Sequence, residues 1–369
     1  MSRILITGAR APVARDLAGA LSAAGHDVHL ADVFRTRTAG PFPWHAYAAP
    51  VQQPAHFARD IAEINIDLKP DLIVPLCEEV FHLAGISGLL LFAPDRDTLL
   101  RLHSKFDFNT WVRGLGLDAP ETRRASPGDA GLAATSVFKP EFSRFGARCL
   151  VRPAPEVVAG LAHDPGNPWL RQDYVAGDDL CFHAVARGGR IRAFAAYRSD
   201  WRTKGGASYY FQPLSPGLSR RLLDIAETLV AAGQLTGQIA CDVRHDAGDR
   251  LWLIECNPRG TSGLHLLAHG PDALAEAFLS DEGDVLMGSD QPVCLGPAMG
   301  LLGLAEAVGK DRLEAWRQDV GRARDALQGA AFAALTDHAV HGLRALIRRR
   351  RLDQLLTEDI EYNGRSHAG

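Results

Sequence analysis

The chain has no apolar run long enough to cross a bilayer. Its longest, residues 83–93, spans eleven residues and is broken by glycines and a serine, against the roughly 20 consecutive apolar residues a spanning helix needs. No membrane partner is expected, and a soluble protein is. The chain also lacks an excess of charge of one sign: 40 Lys and Arg stand against 44 Asp and Glu, for a net charge of −4. A nucleic-acid binder draws its affinity from phosphate neutralisation, so no nucleic-acid partner is expected. The six cysteines, at positions 77, 149, 181, 241, 256 and 294, include no C-x-x-C pair and sit mostly in apolar segments. They read as small buried hydrophobes rather than disulfide or zinc ligands. The opening MSRILITGAR enters a strand-like run with no apolar signal region or cleavage site, so the expected location is cytoplasmic. Repeats and low-complexity segments are absent, and 46% hydrophobic residues over 369 positions suffice for two or three compact domains.

The first hundred residues read as a small doubly wound α/β domain. A β-branched run at 3–7 leads into a helical pattern with Val13, Leu17 and Leu21 on one face. Strands at 27–31 and 71–74, a helix after Pro54 and an apolar run at 89–92 continue the alternation of a parallel sheet. The turn Gly8-Ala9-Arg10-Ala11-Pro12-Val13-Ala14 lacks two glycines of the dinucleotide fingerprint. A structural βα turn is the simpler reading and a nicotinamide site the alternative. From residue 101 to about 280 the texture changes to longer strands, at 137–139, 169–174, 180–186, 191–197, 237–245 and 251–257, with Gly188-Gly189 and Gly248-Asp249 as hairpin turns and a helix over 217–232. From about Pro297 the chain reads as helical; it carries Arg348-Arg349-Arg350-Arg351, a solvated helix face or a site for an acidic partner, and then EDIEYNG.

The last hairpin carries the sharpest chemical signal. A two-residue loop at Gly248-Asp249 places Asp242 opposite Glu255, and a four-residue loop on the same centre shifts partners without exchanging faces. Alternation then puts Asp242, Glu255 and Asn257 on one face and Ile239, Cys241, Val243, Trp252, Ile254 and Cys256 on the other, core-facing side. Opposed carboxylates lie about 5 Å apart and repel unless a positive charge separates them. A hard divalent cation such as Mg²⁺, which takes carboxylates, neutral oxygens and substrate phosphates, resolves the conflict.

The strand end Glu255-Cys256-Asn257-Pro258-Arg259-Gly260 resembles the Glu-x-Asn-Pro-Arg motif of the ATP-grasp superfamily, in particular its carbamoyl-phosphate synthase-like branch. The resemblance extends over nearly the first 290 residues. It implies an α/β (α+β) ATP-grasp fold: a Rossmann-like pre-ATP-grasp domain over 1–100, a small lid subdomain over 101–175, a large antiparallel-sheet subdomain over 176–290 and a helical extension over 291–369. It also implies a site. Lys105, in Ser104-Lys105-Phe106, matches the first ATP-contacting cation, and Lys139, in Val137-Phe138-Lys139-Pro140, the second. Ser143-Arg144-Phe145-Gly146 resembles the loop that covers the triphosphate, with Ser143 and the backbone at Gly146 as donors and without the usual double glycine. Residues 172–179, QDYVAGDD, resemble the nucleotide hinge: it begins at Gln172, the backbone at Asp173 and Val175 reads adenine, and Asp179 accepts from the ribose. Asp242, Glu255 and Asn257 match the metal ligands, two Mg²⁺ ions with Mn²⁺ as a substitute, and Arg259 faces the transferred phosphate.

Candidates on the substrate side are Arg198, Arg202 and Lys204, as a cationic loop or a plain surface loop; His265, as a substrate contact or a helix cap; and Glu78 or Glu79, as an amine anchor or a helix N-terminal acid. The resemblance implies an ADP-forming ligase that uses ATP to phosphorylate a small-molecule carboxylate and joins the acyl phosphate to an amine, with a homodimer admitted. Alternatives are a bicarbonate-activating enzyme, although the duplicated halves and a biotin-carrying Met-Lys-Met segment are missing; a nicotinamide-dependent reductase; and a non-catalytic ATP-binding regulatory module.

Overall fold

The computed structural model describes residues 1–143, 148–162, 164–203, 206–334, 336–337 and 357–364. Three sheets organise them. The first holds four parallel strands in the order β3-β2-β1-β4, with β1 Arg3–Thr7, β2 Asp27–Asp32, β3 Trp44–Ala46 and β4 Leu72–Pro75. β1 is buried along Ile4 to Thr7, and the following helix, Val13–Ala23, turns Val13, Leu17 and Leu21 inward as its periodicity predicts. Residues 89–92 do not form a full strand; Leu91 makes one bridge, to Ile73. The sparse glycine turn has a specific reason. Gly8 has φ +63°, and a Cβ there would lie 2.6 Å from the Glu79 carboxylate, so glycine is required for backbone conformation and for space.

The second sheet is antiparallel, in the order β5-β8-β6-β7, from β5 Thr122–Arg124, β6 Ser136–Pro140, β7 Leu150–Val151 and β8 Trp169–Asp173. The third and largest runs β13-β12-β9-β10-β11-β15-β16, from β9 Asp178–Arg187, β10 Arg190–Arg198, β11 Tyr210–Pro213, β12 Gly237–His245, β13 Leu251–Asn257, β15 Val293–Cys294 and β16 Arg324–Asp325, with β14 Leu286–Met287 on β10. Helices Lys105–Gly114 and Pro216–Gly233 cover one face, burying Phe108, Val112, Leu222, Ala226 and Leu229 against Phe182, Phe194, Cys241 and Leu253. Part of the other face shares a core with the first domain, where Val185, Ala195 and Tyr197 join Leu264, Phe278, Val13 and Leu17. The region expected to be purely helical also contributes β15 and β16 to this sheet. The arginine run 348–351 lies outside the described residues.

The β12–β13 hairpin departs from expectation twice, and the departures cancel. Its loop is neither two nor four residues but three, Ala247 to Asp249, between the paired Asp246 and Arg250. Asp249 takes φ +62°, and Asp246 Oδ1 accepts from the Gly248 and Arg250 amides, at 2.9 Å each. That loop shifts the register by one, so Val243 faces Leu253. A bulge at Ile254 then restores the pairing of Asp242 with Glu255. Before the bulge the core-facing residues are therefore Leu251 and Leu253 rather than the expected Trp252 and Ile254. Trp252 is left at the edge, its Nε1 donating to Asp246 Oδ2 at 2.8 Å.

Candidate functional site

The uncovered face of the large sheet looks toward the second sheet, and the site forms between them. Strand alternation and the ladder place Asp179 and Cys181 of β9, Asp242 and Arg244 of β12, and Glu255 and Asn257 of β13 on that face. Asn109 supports the bulge that makes this possible: its Nδ2 donates to the Ile254 carbonyl at 3.0 Å and to the Lys105 carbonyl at 2.7 Å. The same side chain thereby fixes the acid register and the start of the helix bearing Lys105.

Two ammonium groups converge on one carboxylate oxygen. Lys105 Nζ lies 3.7 Å and Lys139 Nζ 3.5 Å from Glu255 Oε2. Lys105 also donates to the Ser143 carbonyl at 3.0 Å, and so joins the helix to the base of the loop that follows β6. Ser104, which caps that helix, donates to Glu141 Oε1 at 2.6 Å. On the other side, the Cys181 thiol donates to Asp242 Oδ1 at 3.0 Å, and Arg259 Nη2 donates to Asn257 Oδ1 at 3.1 Å.

The electrostatics are polarised across the strand pair. Burial first and the Glu255 charge second push the Asp242 carboxyl above the ordinary range. Burial also opposes ionisation of Glu255, but Lys105 and Lys139 outweigh it and hold that carboxyl low. Burial lowers the Lys139 ammonium in turn, and Glu255 offsets part of the effect. Two carboxylates and an amide oxygen on one face suit a hard cation bound through oxygen and shared with an anionic ligand. Among the described residues no group of three or more His, Cys, Asp and Glu side chains is placed to hold a metal, so any ion here would draw its further ligands from the amide, water or substrate.

The remaining expected residues divide. Asp179 lies on the site face, bridged by Arg244 Nε at 3.0 Å and Arg202 Nη1 at 3.2 Å, so Arg202 reaches the site as the partner of an acid. Gln172 is buried inside the second sheet with Nε2 on Thr122 Oγ1 at 3.0 Å, a supporting position. In the hinge, the Asp173 amide donates to Glu121 and that of Tyr174 to Thr135; Val175 N–H has no backbone acceptor among the described residues. Arg198 sits elsewhere: it pairs in register with Leu180, on the face opposite Asp242, and lies 3.4 Å from Asp200. His265 is also remote, its Nδ1 2.9 Å from Asp16 Oδ2 and its ring stacked on Phe211, so it neither caps a helix nor reaches the site. Glu79 is fully buried and accepts from Thr7 Oγ1 at 2.8 Å and from the Leu76 and Cys77 amides; Glu78, beside it, accepts from the Tyr362 amide at 2.9 Å. Gly146 and Lys204 lie outside the described residues.

Sequence reasoning passed over Asn109, Cys181 and Arg244. Arg244 had a signal, since it stands two residues from Asp242 and so on the same face. Asn109 and Cys181 had none, because their roles depend on partners far away in sequence.

No protein-family model and no curated protein matches the chain. Solved structures do match it. N5-carboxyaminoimidazole synthetase from Staphylococcus aureus, in complex with ADP, superposes with a TM-score of 0.63 at 12% identity, over 82% of this chain and 84% of its own. Phosphoribosylamine–glycine ligase from Thermotoga maritima does so with a TM-score of 0.61 at 15% identity, over 79% and 78%. L-amino acid ligase from Bacillus licheniformis gives 0.57 at 12% identity, over 76% and 74%. The chain has the ATP-grasp fold these structures share. No helix among the described residues is long and apolar enough to cross a membrane.

Proposed function

We propose that the protein is an ATP- and Mg²⁺-dependent, ADP-forming ligase that phosphorylates a carboxylate and joins the resulting acyl phosphate to an amine. The observation that carries this reading is the facing pair Asp242 and Glu255, with Lys105 and Lys139 both against Glu255, between two sheets. Phosphoryl transfer depends on positioning and charge stabilisation rather than on a protein nucleophile. Asp242, Glu255 and Asn257 would hold the metal, which would shield the repulsion between the phosphates and the incoming carboxylate. Lys105 and Lys139 would exchange part of their contact with Glu255 for phosphate oxygens, Ser143 would lie at the edge of the triphosphate, and Val175 would offer its amide to adenine. Asp179, already turned by Arg244 and Arg202, would accept from the ribose. Arg259, oriented through Asn257, would face the transferred group.

The test is ADP and phosphate release measured over paired carboxylates and amines with and without Mg²⁺. Release that needs both an organic carboxylate and Mg²⁺, with an amide product found by mass spectrometry, is the expected result. Release that needs bicarbonate and no organic acid would replace the reading with bicarbonate activation, and binding of NADPH without ATP would overturn it.

A further inference from the structure

The first domain has a crevice at the carboxyl ends of its parallel strands, the usual ligand position in such sheets. Arg10 follows β1, Asp32 ends β2, and Glu78 follows β4. A segment distant in sequence, residues 357–364, fills it. Arg10 Nη1 donates to both Asp359 oxygens, at 2.7 and 2.8 Å, while its Nε and backbone amide engage Asp32. Three residues further on, the Tyr362 amide donates to Glu78 Oε2 at 2.9 Å. The Tyr362 ring stacks on Phe81 at 4.9 Å and meets Phe142 edge-on at 5.9 Å, and Gly364, at φ +83°, comes so close to the Phe142 ring that a Cβ there would lie 2.5 Å from it. Phe142 immediately precedes Ser143, at the base of the loop beside the candidate site.

Two features mark this segment as an occupant rather than a strand of the fold. It joins none of the three sheets, and its carbonyls meet only loop and side-chain donors, Val51 N–H on the Asp359 carbonyl at 3.2 Å and Gln52 Nε2 on the Glu358 carbonyl at 3.1 Å among them. Asp359 is also a second acid on an arginine already paired with the fully buried Asp32.

We propose that residues 357–364 are an internal pseudo-ligand. The Asp359 carboxylate and the Tyr362 N–H imitate the two ends of an amino-acid-like ligand, which displaces the segment by placing its own carboxylate on Arg10 and its amine on Glu78. Departure of Tyr362 also removes the ring packed on Phe142, the residue before Ser143. The ligand class rests on the carboxylate–amine reading above; the internal occupancy does not.

The test uses the full chain with Asp359→Asn, which keeps shape and removes charge, and Asp359→Ala. Hydrogen exchange at amides 357–364 should quicken on the order of tenfold in both variants, as expected for loss of a charge-assisted contact. A fluorescein-labelled peptide, TEDIEYNG, should bind both variants and be excluded by the wild type. In the wild type, a millimolar mixture of the common amino acids should likewise quicken exchange at 357–364. If Asp359→Asn neither quickens exchange nor admits the peptide, the segment is a fixed part of the fold and the proposal fails, even where Asp359→Ala unfolds. If both variants behave as expected but amino acids have no effect, the ligand class falls. Absence of ADP release with any substrate, alongside the expected exchange and peptide results, would sink the ligase reading and leave the internal occupant standing.

Discussion

Asp242 and Glu255 face each other only because Ile254 is an extra residue in β13. The three-residue loop at Ala247 to Asp249 moves the ladder by one position, and the bulge moves it back just before the acids. A hairpin with the loop and no bulge would turn Glu255 into the core, where an unpaired carboxylate is costly.

The first prediction concerns the acids themselves. Asp242→Ala and Glu255→Ala should each reduce Mg²⁺-dependent ADP release to below about 1% of wild type, the order seen when one electrostatic stabiliser of a transition state is lost. Circular dichroism should remain unchanged. Full turnover in both variants would remove the metal assignment.

Asn109 gives a second prediction, because its amide holds the bulge carbonyl. Asn109→Ala leaves the Ile254 carbonyl without that donor and should cost about 1–3 kcal/mol in denaturant unfolding. It should also raise the KM for ATP, since the same side chain positions the helix carrying Lys105. A variant with wild-type stability would show that the bulge is held by the strands alone.

His265 separates a substrate contact from a structural one. Asp16 lies 2.9 Å from His265 Nδ1 and 2.8 Å from Arg324 Nη2; although burial opposes its ionisation, those two partners keep its carboxyl low. Asp16→Asn and His265→Phe should therefore lower stability by about 1–3 kcal/mol and leave the KM values of both substrates unchanged. A specific rise in KM with His265→Phe would return that residue to the binding site.

Two buried histidines set an acid limit. Burial pulls His103 down to about 4 and His183 to about 3, so both are neutral in the folded chain while the unfolded chain protonates them near 6.5. A depressed histidine pKa means that the unfolded state binds more protons than the folded state between that value and about 6.5. Stability should be level above about pH 6.5 and fall as pH drops from there toward 4, by several kcal/mol for the pair. His183→Asn should flatten part of that slope in urea titrations followed by tryptophan fluorescence; an unchanged slope would show that His183 has no part in it.

Much of the site was legible in the sequence because strand alternation is a local rule. Asp242, Glu255 and Asn257 share a face by the period of two, although their pairing also needs the bulge at Ile254, and Lys105 and Lys139 were identified by the resemblance of their segments to the ATP-grasp motifs. The arrangement beyond them was not legible, for a physical reason: each remaining contact joins elements that are distant in the chain. Arg198 stood in a plausible loop by position, yet register with Leu180 turned it to the opposite face. His265 directly continued the motif around Asn257, but packing of the first domain drew it to Asp16. The EDIEYNG segment carried no periodicity, and only the fold set Asp359 against Arg10 and Tyr362 against Glu78.

The sequence by itself determined the balanced charge, the strand–helix alternation of the first hundred residues and the presence of two acids on one hairpin, since composition and periodicity act over a few residues. Tertiary structure alone decided which cations meet those acids, which faces the outer strands present and what fills the crevice of the first domain. Those outcomes depend on the docking of separate surfaces, where burial and charge pairing at long range outweigh any local preference.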